Sequence, residues 1–119
     1  MVGEQKILTR GGIYLAKPNP AKKNEVGKVR PIIILNSQVI LNNTPPVVFV
    51  CPLSSQSQPE FKALHIILEP RDSLHVKSYA LVEHCRSITV SRLIYPRLAQ
   101  ITDNEINIIL HSFQRLIGL

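Results

Sequence analysis

The chain has no tryptophan, one methionine and two cysteines in 119 residues. Each cysteine lies in an apolar run, Cys51 in VVFVCPL and Cys85 in ALVEHCRSITV, which favours buried, reduced thiols over a disulfide framework. Two isolated cysteines supply no metal motif. The histidines (His65, His75, His84 and His111) lack the close pairing that zinc sites use, so no metal and no cofactor is expected. Only five glycines occur, and none forms a Walker loop, a G-x-G-x-x-G turn or a G-x-S-x-G elbow. Carboxylates are also sparse. Asp72, Asp103 and most of the glutamates fall in turns or at a helix start, so a paired-carboxylate glycosidase site is not expected. No apolar run approaches the roughly 20 residues a membrane helix needs. The opening MVGEQKILTRGG has no signal-peptide core, so the expected compartment is the cytoplasm, with no membrane partner.

Hydrophobic residues make up 45% of the sequence, enough for one globular domain over residues 1–119. The net charge of +6 is unevenly spread, with +5 of it in residues 1–30, where seven basic side chains face two acidic ones. Such a segment attracts polyanions, of which nucleic acid is the commonest in a cytoplasm.

Glycine-led GIYLA reads as a first strand, and residues 17–29, KPNPAKKNEVGKV, as a long exposed loop. PIIIL at 31–35 is a second strand with proline at its first position. Residues 36–45 turn the chain. PVVFVCPL at 46–53 is a third strand, apolar throughout and so covered on both faces, running into the polar cluster SSQSQ at 54–58. Residues 62–68 and 79–90 supply further strands, the latter bent near Cys85, and a short strand spans 97–101. A helix closes the chain. Thr102 and Glu105 are spaced as a capping box and Ile101 and Ile106 as a hydrophobic staple, with Ile106, Ile109, Leu110, Phe113, Leu116 and Ile117 on one face and Gly118 as the stop. The fold class expected is mainly β (α+β), a small barrel with a C-terminal helix.

Arg30 stands where the basic loop meets the second strand, and Ser54, Ser55 and Gln56 end the third. If those strands are antiparallel neighbours, Arg30 and Ser54 lie close together. A guanidinium forks onto phosphate oxygens and keeps its charge through a phosphoryl transition state, while RNA brings its own nucleophile, the 2′-hydroxyl. That pattern suits phosphodiester chemistry, although a pre-proline arginine is more often a plain surface residue.

Six segments, in order, carry a resemblance: Arg10-Gly11-Gly12-Ile13-Tyr14; Pro18-Asn19-Pro20; the Glu25-to-Pro31 stretch EVGKVRP; the apolar strand after it; VCPLSSQ at 50–56; and SYALVEHCRSITVSRL at 78–93. The chain thereby resembles the MazF/PemK family of toxin endoribonucleases. The resemblance implies an SH3-like β-barrel with a C-terminal helix (the CcdB/MazF/PemK fold), a homodimer and a cognate antitoxin whose acidic or apolar tail covers the basic groove. It also implies metal-independent, sequence-specific cleavage of single-stranded RNA to 2′,3′-cyclic phosphate and 5′-hydroxyl ends. The family's catalytic arginine falls on Arg30 and its strand-end threonine on Ser54. Lys28 is then a phosphate contact, Ser55 and Gln56 are either substrate contacts or turn residues, and Glu83 and His84 line the RNA groove. Arg86 is either a buried ion partner or not, and Lys22 and Lys23 are a solvated attractor. Ser54 in place of threonine, Val26 in place of glutamine and Gly12 in place of an acidic residue depart from the pattern. The alternatives are a gyrase poison of the CcdB type, whose C-terminal tryptophan is missing here, and a member that binds nucleic acid without cutting it.

Overall fold

The structure, a computed structural model, describes residues 7–18, 28–56 and 63–119. Most of the expected loop at 17–29 and part of the polar cluster at 54–58 therefore lie outside the described residues, Lys22, Lys23 and Val26 among them. Seven strands form one antiparallel sheet: β1 (Gly12–Ala16), β2 (Arg30–Ile34), β3 (Val47–Ser54), β4 (His65–Leu68), β5 (Ser78–Leu81), β6 (Arg86–Thr89) and β7 (Leu93–Gln100). They run in the order β4-β5-β3-β2-β1-β7, with β6 joined to β3 alone. Two helices complete the fold, α1 (Gln38–Asn42) and α2 (Asp103–Leu116).

Side chains alternate across a strand, so a sheet with apolar residues at every position must be covered on both faces. One core contains Ile13, Ile33, Cys51, Leu53, Ile106 and Ile109 and lies under α2. The other contains Tyr14, Ile32, Ile34, Val48, Val50 and Ile88 and is joined by Leu41 of α1. The third strand is covered as its sequence implies, with Val50, Cys51, Pro52 and Leu53 buried in succession. On the α2 side Phe113 meets Phe49 edge to face, with ring centroids 5.5 Å apart.

The terminal helix carries the expected capping box. Thr102 accepts from the Glu105 N–H at 3.1 Å, and Glu105 accepts from the Thr102 N–H at 2.8 Å. Arg71 also reaches Glu105, its second contact measuring 2.7 Å, and this hydrogen bond holds the Glu105 carboxyl below its ordinary pKa. The apolar face of the helix is shorter than expected. It ends at Phe113, because Leu116 and Ile117 lie beyond the edge of the sheet and are exposed. At the other end of the core, Gly11 holds φ at +79°, and a Cβ there would come within 2.7 Å of Ile106.

Three further expectations change. Residues 36–45 contain α1, where Ser37 caps Ile40 and Leu41 is buried. The Gln38 amide accepts from the Arg10 N–H and donates to the Leu8 carbonyl, both at 2.9 Å. Five residues are too few for helical periodicity to be read. The bent strand at 79–90 is two strands separated by a 3-10 turn, Val82–His84, so that β5 and β6 pair with different stretches of β3. The strand expected at 97–101 begins at Leu93.

Because Ile109 is fully buried where α2 meets the sheet, Ile109→Ala should lower unfolding stability by about 2–5 kcal/mol, whereas Leu116→Ala should cost less than about 1 kcal/mol. Urea unfolding followed by circular dichroism measures both.

Candidate active site

The β2–β3 ladder pairs Ile34 with Val50, Ile33 with Cys51 and Ile32 with Pro52. It begins just past Pro31, which has no N–H to give. Arg30, Ile32 and Ile34 share one face by alternation, as do Val50 and Pro52 across the ladder. On the far side of β3, Val50 pairs with Arg86. Arg30 and Arg86, 56 residues apart in sequence, are thus placed on the same face of three adjacent strands.

Between them opens a cleft of about 630 Å³. Its apolar wall includes Ala16, Ile32, Pro52, Leu53 and Leu81, and its cations are Lys17, Lys28, Arg30, Arg86 and Arg92, with His84 beside them. No carboxylate lines it among the described residues. Positive side chains along low-dielectric walls concentrate the field, so an anion entering the cleft meets a net attraction. Among the described residues, no group of three or more His, Cys, Asp or Glu side chains could hold a metal ion.

The expected site residues divide. Arg30, Lys28 and His84 line the cleft. The antiparallel β2–β3 ladder stops at Ile32 and Pro52, two residues short of Arg30 and Ser54, and Ser54 is not among the cleft-lining residues. Ser54 itself pairs with Tyr79 of β5 and is half-buried, and its hydroxyl accepts from the Gln56 N–H at 3.1 Å. Ser55 and Gln56 are exposed just beyond the strand. Glu83 lies apart from the cleft lining. His84 lines the cleft, while Glu83 Oε2 reaches His65 Nε2 at 2.7 Å and lies 3.9 Å from His84 Nε2. Glu83 therefore holds the turn from beneath. The reading of Arg86 as a buried ion partner is corrected, since Arg86 is exposed on the cleft wall at the end of β6.

Residues 9–117 match the model of the PemK-like, MazF-like toxins of type II toxin–antitoxin systems. The chain belongs to that family. It is 25% identical over 114 residues to the endoribonuclease MazF of Staphylococcus saprophyticus, covering 95% of this chain and 93% of that one. The MazE–MazF crystal structure from Deinococcus radiodurans superposes with a TM-score of 0.78 at 20% identity, over 97% of this chain and 99% of its own. The Mycobacterium tuberculosis toxin MazF-mt6 gives 0.73 at 17% identity, over 91% and 97%. These likenesses establish the MazF fold, an antiparallel sheet with a C-terminal helix.

Within that family fold, three cleft residues were not singled out by sequence reasoning as groove contacts: Lys17, Arg86 and Arg92. A signal existed for Arg86. It stands two residues before Ile88, so on a strand the two share a face, and the core side chain of one implies a cleft position for the other once β6 is placed beside β3. For Lys17 and Arg92 the signal is tertiary, because across 75 residues the Lys17 N–H donates to the Arg92 carbonyl and Arg92 Nε donates to the Lys17 carbonyl.

Behind the cleft wall the two cysteines meet, both as free thiols. Cys85 falls opposite Cys51 one step beyond the Val50–Arg86 pair. The Cys51 thiol donates to the Pro52 carbonyl at 3.8 Å, and its interaction with Cys85, with burial, pushes it well above its ordinary range and lowers that of Cys85. Iodoacetamide at mildly alkaline pH should therefore alkylate Cys85 at least about tenfold faster than Cys51 in the folded protein, with the two becoming equal in denaturant. Peptide mass spectrometry over a time course reads the difference.

Proposed function

We propose that this chain is the toxin of a type II toxin–antitoxin pair and that it cuts single-stranded RNA in the cytoplasm, without a metal, to 2′,3′-cyclic phosphate and 5′-hydroxyl ends. Cleavage of messenger RNA would stop translation and growth. The observation that carries the reading is the cation-lined cleft with Arg30 at its edge and no acid in its described lining. The relative named as an endoribonuclease and the solved complexes of MazF with MazE support the enzymatic class and the antitoxin.

In this reaction the 2′-oxygen attacks the adjacent phosphorus, the O2′–P bond forms and the P–O5′ bond breaks. Arg30 forks onto the phosphorane oxygens, whose charge grows in the transition state, and donates to the departing 5′-oxygen. A guanidinium stays protonated throughout, so it stabilises charge by hydrogen bonding, and solvent water supplies the proton that completes the 5′-hydroxyl. The imidazole of His84 brings a ring nitrogen to the described cleft lining, and it accepts the proton lost from the 2′-hydroxyl. The Ser54 oxygen already accepts from Gln56 and so has its own hydrogen left to donate, which suits it to hold the 2′-oxygen or a phosphate oxygen in line. Lys28 contacts phosphate. Ser55 and Gln56, exposed at the end of β3, are placed to meet bases. Glu83 contributes through His65 and the turn that aims His84, not by touching RNA.

Purified protein free of antitoxin, incubated with a long single-stranded RNA in EDTA, should give discrete fragments bearing 2′,3′-cyclic phosphates. Arg30→Ala should slow cleavage by at least about 100-fold, and His84→Gln, which removes the basic ring nitrogen, should also slow it by at least about 100-fold. RNA that stays intact with the wild type, or cleavage that persists undiminished in Arg30→Ala, would sink the proposal.

A further inference from the structure

A second groove of about 560 Å³ adjoins the cleft and shares Lys17, Pro18 and Arg92 with it. It follows β6, which pairs with β3 along one edge only. Its remaining polar lining is hydroxyl: Ser87, Thr89 and Ser91, the last donating to Thr89 Oγ1 at 3.2 Å. No carboxylate lines it among the described residues.

Two cations stand at the seam, and one is fixed there. The Lys17 N–H donates to the Arg92 carbonyl at 2.8 Å, and Arg92 Nε returns a bond to the Lys17 carbonyl at 2.8 Å. This reciprocal tie uses only the backbone of Lys17, so its ammonium is not engaged by it. It also uses only one nitrogen of the Arg92 guanidinium, leaving the two terminal amino groups to fork onto an anion.

We propose that Lys17 and Arg92 form a second phosphate subsite, distinct from the one at Arg30. It binds the backbone of the same RNA strand on one side of the cut, and the hydroxyl-lined groove along β6 receives the flanking nucleotides. The inference rests on the RNA reading above. It follows from the chemistry of the ligand, since single-stranded RNA carries a phosphate at every nucleotide. A strand seated at Arg30 must leave the cleft across some surface, and the seam is a cationic exit continuous with it. Hydroxyls beyond the seam offer donors and acceptors without adding charge.

The test measures binding apart from cutting. Uniformly 2′-O-methylated RNAs of about four and about twelve nucleotides cannot be cleaved, and their affinities are read by fluorescence anisotropy at several salt concentrations. The wild type should bind the longer RNA more tightly. In Lys17→Ala and in Arg92→Ala the longer RNA should lose about tenfold in affinity, the advantage of length should shrink, and the salt slope should flatten by about one. Lys17→Ala preserves the backbone tie, so agreement between the two variants separates charge from local unfolding. Lys77→Ala, which lines neither groove, removes the same charge and should keep the length advantage. A length advantage unchanged in Lys17→Ala, or lost equally in Lys77→Ala, would overturn the subsite while leaving the nuclease reading intact. A wild type that binds neither RNA would overturn both.

Discussion

β3 shares its backbone among three strands. One edge pairs with β2 from Val50 to Pro52, while the other pairs first with β6, from Val47 to Val50, and then with β5, at Leu53 and Ser54. An antiparallel ladder fixes register as well as neighbours, and a slip of one residue would turn every side chain to the opposite face. The site depends on that constraint. Arg30 begins β2, Arg86 begins β6, and His84 stands on the turn that carries the chain from β5 to β6. None of these positions is set by local sequence alone.

The two faces of the sheet divide the labour. The face under α2 is sealed by Ile106 and Ile109, with Phe113 packed beside them, and nothing in it requires a cleft. The opposite face starts as core at Ile34, Val50 and Ile88 and becomes a binding surface two to four residues further along the same strands, at Arg30 and Arg86. Core and cleft are successive positions on one face, so rigidity passes directly from the apolar side chains to the charged ones. Such placement on strands suits phosphoryl transfer, where catalysis rests on holding groups in line.

Much of this was legible in the sequence because the signals were periodic or punctuated. The capping box at Thr102 and Glu105, the apolar run of β3 and the entry of β2 after Arg30 all needed only neighbouring residues. The antiparallel adjacency of β2 and β3 followed from chain order. What could not be read was set by contacts distant in the chain. Helix α1 has too few residues to display a period, and its Gln38 is held by Leu8 and Arg10. Only His84 of the adjacent pair Glu83 and His84 lines the cleft, because a 3-10 turn interrupts what looks like one strand. Arg86 alternates with Ile88, but only the pairing of β6 with β3 says that its side faces a cleft.

The clustering of five cations and an imidazole around one cleft carries a cost that folding must meet. The cations of the described lining share one sign, and Glu83 Oε2, 3.9 Å from His84 Nε2, stands outside that lining. Mutual repulsion of this kind opposes the compact state and is screened by dissolved ions. The protein is thus electrostatically frustrated when empty, and any phosphate chain that fills the cleft acts as a missing counter-charge as well as a ligand. By linkage, such an occupant stabilises the folded form in proportion to how tightly it binds. Added salt eases the strain of the empty cleft and weakens its attraction for any polyanion together, so one variable moves the fold and its affinity in opposite directions.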